Sequence, residues 1–141
     1  MPLNPSLPAD VDQRLASLGD VLTAACPAVE FAYLFGSAAA GERTPRSDVD
    51  LAIFVSERAD AHAVRLEAAR AASLHLGTDA VDVVLLNTAP LSLAGRIVTG
   101  RRVLVDRVPY ARHRYESSTA RMFQDFRIRE RRLLAARYAH G

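Results

Sequence analysis

A glycine–serine pair followed ten residues later by an Asp-x-Asp motif constrains the fold of this 141-residue chain most strongly. Gly36 and Ser37 end one apolar run, and Asp48 and Asp50 begin the next. β-Branched and aromatic residues in both runs predict strands, because such side chains suit a pleated and half-buried surface. The motif therefore places a tight bend and two carboxylates at the ends of two consecutive strands of one sheet.

Hydrophobic periodicity and turn residues predict the other elements. Glycines at 77 and 100 follow apolar periodic segments and are expected to end helices, whereas Gly19 interrupts the first one. Strands are predicted over 29–35, 48–55, 81–86 and 101–105, helices over 10–25, 59–76, 90–99 and 109–140, and a short helical turn over 38–42. This alternation predicts a single domain of the α/β (α+β) class over 1–108, with a C-terminal Arg-rich helix over 109–141 that packs on the same domain or on a partner.

The acidic pair indicates a cation site. In a strand, residues two apart face the same side, so Asp48 and Asp50 project together while Val49 and Leu51 face the core. Two neighbouring carboxylates repel one another unless a cation lies between them. Mg²⁺ suits such a pair because it combines a few carboxylates with phosphate oxygens. An isolated Asp-x-Asp motif is equally compatible with a solvated strand end whose charges discourage edge pairing.

The Gly36-Ser37 bend indicates a phosphate site. Glycine lets a phosphate approach the backbone closely, the start of a helical turn presents N–H groups, and the Ser37 hydroxyl adds a donor. A Gly-Ser pair alone is a common turn, but beside an acidic pair it predicts a site for a nucleoside triphosphate with its magnesium. Arg43 and Arg46, in the connecting loop, could clamp the triphosphate oxygens or simply be solvated.

A third acid, Asp82, lies inside the apolar run 80–86. A charge in such a strand is unfavourable unless it is paired, hydrogen-bonded or bound to metal. If this strand lies beside the Asp48–Asp50 strand, the three carboxylates converge, and the third completes a second metal site and acts as a base on an incoming hydroxyl. The alternative is a strand-end acid satisfied by backbone donors.

The spacing from Gly36-Ser37 to Asp48-x-Asp50 resembles that of the nucleotidyltransferases of the DNA polymerase β superfamily, over about residues 30–105. The short chain with a helical tail is most similar to the minimal nucleotidyltransferases, the MNT-type antitoxins encoded beside HEPN-domain toxins. The resemblance implies a mixed β-sheet flanked by helices. It also implies transfer of AMP from ATP to a hydroxyl, with release of pyrophosphate.

For the antitoxin branch, the resemblance implies that the acceptor is a tyrosine of a cognate HEPN-type RNase toxin, held in a hetero-oligomeric complex and silenced by the modification. The implied cofactor is Mg²⁺, as two ions. The implied site consists of the catalytic and metal-binding Asp48, Asp50 and Asp82 and the nucleotide-binding Gly36, Ser37, Arg43 and Arg46. Two alternatives stay open: a non-catalytic antitoxin that binds its partner stoichiometrically, and a transferase that acts on RNA or on a small-molecule hydroxyl.

Charge is distributed unevenly along the chain. Residues 1–95 carry 6 Arg and 12 acids, whereas residues 96–141 carry 12 Arg and 4 acids. No lysine is present, which excludes a catalytic lysine. The basic segment could meet an acidic partner protein, bind RNA or DNA, or be a solvated face, and the first is favoured. The apolar seam for such a partner is predicted at Tyr115, Met122, Phe126 and Leu133.

The cysteine count and the hydropathy of the chain indicate the cellular compartment in which the protein is expected. Cys26 is the only cysteine, which excludes an internal disulfide and a cysteine-cluster zinc site and favours a reducing compartment. No apolar run approaches the ~20 residues of a membrane-spanning helix, and residues 1–9 show no secretory signal. We therefore expect a cytoplasmic protein without a membrane partner.

Overall fold

The computed structural model describes residues 10–41 and 48–139, which form four strands and six helices. In chain order these are α1 (Val11–Ala16), α2 (Leu18–Ala25), β1 (Val29–Phe35), α3 (Ser37–Ala40), β2 (Val49–Val55), α4 (Ala61–Leu76), β3 (Val81–Leu85), α5 (Leu91–Thr99), β4 (Arg102–Asp106) and α6 (Pro109–Ala139). The four predicted strands are confirmed to within one residue at each end. Within the described ranges, no helix is both long and apolar enough to cross a membrane.

The strands form one mixed sheet in the order β3-β2-β1-β4. Strand β1 runs antiparallel to β2 and β4, and β3 runs parallel to β2. The end of β1 at Phe35 therefore lies at the same edge of the sheet as the first residues of the other three strands, which include Asp50, Asp82 and Arg102. We call this edge of the sheet the acidic end.

Helices cover both faces of the sheet. Val49, Leu51 and Ile53 are fully buried against α1, α2 and α4, which confirms the predicted core-facing side of β2. The other face carries a second buried cluster beneath α5 and α6, formed by Phe31, Tyr33, Ala52, Leu86 and Ile97. Asp50 and Asp82 lie on this second face because they alternate with the residues buried on the first.

The predicted helix over 10–25 divides in two at Ser17, not at Gly19. The Nε2 atom of His75, in the last turn of α4, lies 2.9 Å from Ser17 Oγ and 2.9 Å from the carbonyl oxygen of Arg14. Gly19 stays within α2, where a Cβ atom would collide with the carbonyl oxygen of Leu104. The glycine thus allows a close helix–strand approach, and the break is stabilised by a distant histidine.

Helix α6 is attached to the sheet by a partly buried ion-pair network around Glu116. The guanidinium of Arg101 donates to both carboxylate oxygens of Glu116, at 2.6 and 3.0 Å, and Tyr33 Oη donates at 2.7 Å. Arg112 donates to Glu116 at 3.1 Å and also to Asp106. One carboxylate therefore joins α6 to β1 and to the segment that leads into β4.

Tyr115 packs within the molecule, so its predicted place in a partner-facing seam is wrong. Its ring contacts Phe31 and Phe54, and its hydroxyl donates to the carbonyl oxygen of Leu86 at 3.1 Å. The other seam residues, Met122, Phe126 and Leu133, are exposed. The difference arises because the first half of α6 lies across the aromatic face of the sheet, which the sequence pattern of α6 alone does not show.

Candidate active site

The bend at Gly36, directly after β1, lies against the side chain of Asp50 in β2. Gly36 has φ +72° and ψ −152°, a backbone conformation that is nearly exclusive to glycine. A Cβ atom there would collide with the Oδ2 atom of Asp50. Glycine is therefore needed both for the backbone angles and for the space that the Asp50 carboxylate occupies.

Asp50 is the centre of the predicted acidic group. Its register partners are Phe35 on β1 and Asp82 on β3, so two carboxylates stand side by side on neighbouring strands. Burial raises the pKa of the half-buried Asp50, and the negative charges of Asp82 and Asp48 raise it further. The environment thus disfavours the Asp50 charge in the absence of a compensating cation.

Asp48 and Asp82 are the exposed members of the group. Asp48 immediately precedes β2, two residues before Asp50, and Asp82 is the second residue of β3. Because β2 and β3 are parallel and in register at Asp50 and Asp82, both side chains project to the same face. The structure therefore places the three predicted acids at one end of the sheet.

The carboxylates at the acidic end can supply only part of the ligands of a Mg²⁺ ion. Within residues 10–41 and 48–139, no three His, Cys, Asp or Glu side chains are arranged closely enough to hold a metal ion. Mg²⁺ is commonly held by one or two carboxylates together with substrate phosphates and waters, so it does not need a closed protein cage. Asp50 and Asp82 fit this requirement, and their mutual repulsion is what a cation would relieve.

The predicted phosphate-binding residues are described only in part. Ser37 is the first residue of α3 and is half-buried beside the Gly36 bend. The first N–H groups of a helix have no intrahelical partner, so this turn can present donors to an anion. Arg43 and Arg46 lie outside the described residues.

The sequence patterns did not predict the ion-pair network that lies beside the acidic end. Arg101 directly precedes β4, and its guanidinium lies 5.8 Å from the centre of the Tyr33 ring. Because Glu116 binds this guanidinium through two hydrogen bonds, Arg101 supports α6 instead of offering an unengaged phosphate clamp. The available signal was Glu116 itself, an acid four residues after Arg112 in an Arg-rich helix.

A cavity of about 530 Å³ lies at the other end of the sheet. Phe54, near the end of β2, and Tyr110 and Arg114, in the first turns of α6, contribute to its lining. Of the predicted site residues, the five that the structure describes, Gly36, Ser37, Asp48, Asp50 and Asp82, do not line it. The cavity is therefore separate from the acidic end.

Comparison with protein families gives one match. The family model described as polymerase beta, nucleotidyltransferase matches residues 20–109. This range contains the Gly36 bend and the acids Asp48, Asp50 and Asp82. No curated protein matches the chain.

Several solved structures share the fold. A chain from a toxin–antitoxin complex with AMP-PNP is 24% identical with a TM-score of 0.69, over 86% of this chain and 96% of its own length. A chain from a mutant MntA–HepT toxin–antitoxin complex is 27% identical with a TM-score of 0.65, over 83% and 91%. A chain from a tri-AMPylated Shewanella oneidensis HEPN toxin in complex with MNT antitoxin is 22% identical with a TM-score of 0.65, over 89% and 97%. These likenesses confirm the predicted mixed sheet flanked by helices.

Proposed function

Because this chain belongs to the polymerase beta nucleotidyltransferase family, we propose that it is a nucleotidyltransferase antitoxin that transfers AMP from ATP to a tyrosine hydroxyl of a cognate HEPN-type RNase toxin. The observation that carries the proposal is the in-register pairing of Asp50 with Asp82 beside the Gly36 bend. The similar structures support the partner and the nucleotide, since they include a complex with AMP-PNP and a tri-AMPylated HEPN toxin.

In this proposal the bend binds the triphosphate. The Gly36 backbone approaches the phosphates, the Ser37 hydroxyl donates to a phosphate oxygen, and Arg43 and Arg46 neutralise further oxygens. Asp50 and Asp82, with Asp48 next to them, would hold Mg²⁺ in an open site that phosphate oxygens and waters complete, and the ion would supply positive charge to the triphosphate and to the leaving pyrophosphate. Most of the rate enhancement then comes from positioning and charge neutralisation.

In the proposed transfer step, Asp82 acts as the base. The tyrosine oxygen attacks the α-phosphorus of ATP, a new P–O bond forms, and the bond from that phosphorus to the bridging oxygen of the β-phosphate breaks. Pyrophosphate leaves with the bridging oxygen and its electron pair. The tyrosine proton passes to the carboxylate of Asp82, which is exposed and therefore reachable by an acceptor on another protein.

The proposal places the protein in the cytoplasm, where ATP is available and where the free, buried Cys26 stays reduced. The partner is expected to be the HEPN-domain protein encoded next to this chain. Complex formation does not by itself require AMP transfer, because an antitoxin can also neutralise its partner by binding alone.

Intact-mass measurement of the toxin tests the chemistry. After incubation with this protein, ATP and Mg²⁺, we expect the toxin to gain the mass of one or more AMP groups on a tyrosine. Asp82→Asn should abolish the gain, and Asp79→Asn, which changes an exposed acid three residues earlier, should not. An unmodified toxin that is nevertheless inhibited at a one-to-one ratio would instead establish the stoichiometric antitoxin.

A further inference from the structure

The second half of α6 is exposed along its whole described length. Phe123 is the last half-buried residue of this helix, and its ring occupies the space beside Gly95 of α5. Every residue from 124 to 139 is exposed. We call residues 124–139 the C-terminal arm.

The arm leaves the body of the protein at the acidic end. Helix α6 begins at the opposite end, where Arg112 binds Asp106 at the end of β4. It has crossed the sheet by Arg127, which shares a cleft with Thr99, just before β4 begins. At 1.5 Å per residue, the helix then extends about 18 Å further, to Ala139. It therefore projects beyond the edge that carries the acids.

The composition of the arm favours a protein as its occupant. It carries five arginines and two acids, for a net charge of +3. Large apolar side chains are exposed among these charges, namely Phe126, Ile128, Leu133, Leu134 and Tyr138. Arginine and aromatic residues are enriched in protein–protein interfaces. A phosphate-binding helix needs the cations but has no use for exposed leucine and isoleucine side chains.

Two clefts lie where the arm begins, with volumes of about 470 and 760 Å³. Thr99, Phe123 and Arg127 line both. The Arg127 guanidinium lies 5.8 Å from the centre of the Phe123 ring, which holds a cation above an aromatic surface. Clefts of this kind beside an exposed helix can accept anchoring side chains of a bound protein.

We propose that the C-terminal arm and the two clefts at its base form the docking surface for the protein that supplies the acceptor hydroxyl, an acidic and partly apolar surface of the toxin. This inference rests on the proposed function. Docking on the arm places the partner beyond the acidic end, where the Asp82 side chain is exposed. The C-terminal arm therefore raises the local concentration of the acceptor, whereas the acids of the sheet carry out the transfer.

The test uses the full-length chain and the HEPN-domain protein encoded next to it. The arm variant combines Phe126→Ala, Leu133→Ala and Arg131→Glu. The matched control combines Leu66→Ala, Leu74→Ala and Arg70→Glu on α4, where these side chains are also exposed but on the opposite face of the sheet. Dissociation constants come from titration calorimetry, and initial rates of AMP transfer are measured against toxin concentration.

We expect the arm variant to raise the dissociation constant and the KM for the toxin at least tenfold, with kcat and ATP affinity unchanged, and the control to match the original protein. Unchanged toxin affinity, equal losses in both variants, or failure of the original protein to bind the toxin would overturn the proposal. So would loss of RNA binding by the arm variant with toxin affinity intact.

Asp50→Asn separates this inference from the proposed function. It should keep the toxin dissociation constant and lose AMP transfer, because the acid does not belong to the docking surface. If the original protein binds the toxin through the arm but never modifies it, the docking surface stands and the transferase chemistry fails. If the arm variant modifies the toxin with an unchanged KM, the chemistry stands and the docking surface fails.

Discussion

At the level of single residues, Gly36 couples backbone geometry to the acid beside it. Its positive φ is a conformation that other residues rarely adopt, and the space of a Cβ is already taken by the Asp50 carboxylate. Gly41 also has φ +72°, but a Cβ atom there would meet nothing within 4 Å. Gly41 therefore serves as a control that shares the positive φ of Gly36 but has no acid beside it.

Gly36→Ala is expected to abolish AMP transfer and to lower the free energy of unfolding by about 2–3 kcal/mol, since backbone strain and a collision act together. Gly41→Ala, in the more accessible left-handed helical region, should lower stability by roughly 1 kcal/mol and leave transfer unchanged. Urea unfolding and the toxin mass assay measure the two quantities. Full activity of the Gly36→Ala protein would contradict a site built around this bend.

Asp50→Asn is expected to raise stability while removing activity. Burial and the charges of Asp82 and Asp48 disfavour the ionised Asp50, so a neutral isostere should raise the melting temperature by a few degrees in metal-free buffer. AMP transfer should fall by roughly 100-fold or more, because a carboxylate that holds the metal is lost. Differential scanning calorimetry and the mass assay test both, and Asp79→Asn should change neither. A lower melting temperature would contradict the electrostatic interpretation.

The sequence predicted the parts of the candidate site that depend on local residue spacing. It did not predict the parts that depend on contacts between distant segments. The Gly36-Ser37 and Asp-x-Asp spacing defines two of its parts within fifteen residues of sequence. Asp82 needed the further assumption that its strand lies beside β2, which the register confirms. The contact between Gly36 and Asp50 had no sequence signal, because it depends on the antiparallel pairing of β1 with β2.

At the level of elements, Glu116 anchors α6 to the sheet. Its carboxylate is largely buried and accepts hydrogen bonds from Arg101, Arg112 and Tyr33. A network that is satisfied on all sides is stabilising as a whole, but removal of its central charge leaves buried partners unpaired.

Glu116→Gln should therefore lower the free energy of unfolding by about 2–3 kcal/mol. Glu67→Gln is the matched control, since the Glu67 pair with Arg70 is exposed and 3.5 Å long, and it should change stability by less than about 1 kcal/mol. Chemical denaturation followed by circular dichroism measures both. Equal effects of the two substitutions would show that the network contributes no more than a surface pair.

Strands and helix ends were predictable because β-branched runs and terminal glycines act locally; Gly77, with φ +73°, ends α4 as expected. The division of the first helix was not, because it depends on His75, which is 58 residues from Ser17. The presence of Gly19 inside α2 has a similar cause, since the backbone of β4 defines the space beside it. Contacts between distant segments thus account for these differences.

At the level of the whole molecule, the carboxyl groups of Glu116 and Asp50 make opposite contributions to how the free energy of unfolding depends on pH. Burial alone would raise the pKa of Glu116, but hydrogen bonds from Arg101 and Tyr33 hold it below its ordinary value of 4.5. Its ionised form therefore stabilises the fold above the unfolded pKa, and this contribution is lost as the pH falls through the folded value. The pKa of Asp50 is raised, so its charge destabilises the fold at neutral pH and this is relieved on acidification.

We therefore expect the stability deficit of Glu116→Gln to shrink below about pH 4.5 and the stability gain of Asp50→Asn to shrink as the pH falls through the raised Asp50 pKa. Urea unfolding between pH 7 and pH 3 gives the free energy of each variant relative to the original protein. Relative free energies of the same sign for both variants at neutral pH would contradict this assignment.

The layered architecture was predictable from alternating strands and helices, whereas the strand order was not. Nothing in the sequence of β4 indicates that it pairs with β1 at the sheet edge. Strand order decides what α6 covers, and so it decides that Tyr115 is internal while Phe126 is exposed. The sequence pattern of α6 is continuous, although the first part of the helix packs on the sheet and the second part is exposed to solvent.

The unsupported length of α6 affects how the helix itself unwinds. Its last sixteen residues are exposed and must retain their helical hydrogen bonds mainly through local interactions, and isolated helices shorter than about 12–15 residues are marginal in water. Amide hydrogen exchange should therefore be slow up to Phe123 and become progressively faster towards Ala139. A bound protein that covers this stretch would slow exchange over the same residues, so protection factors along one helix would report occupancy of the surface.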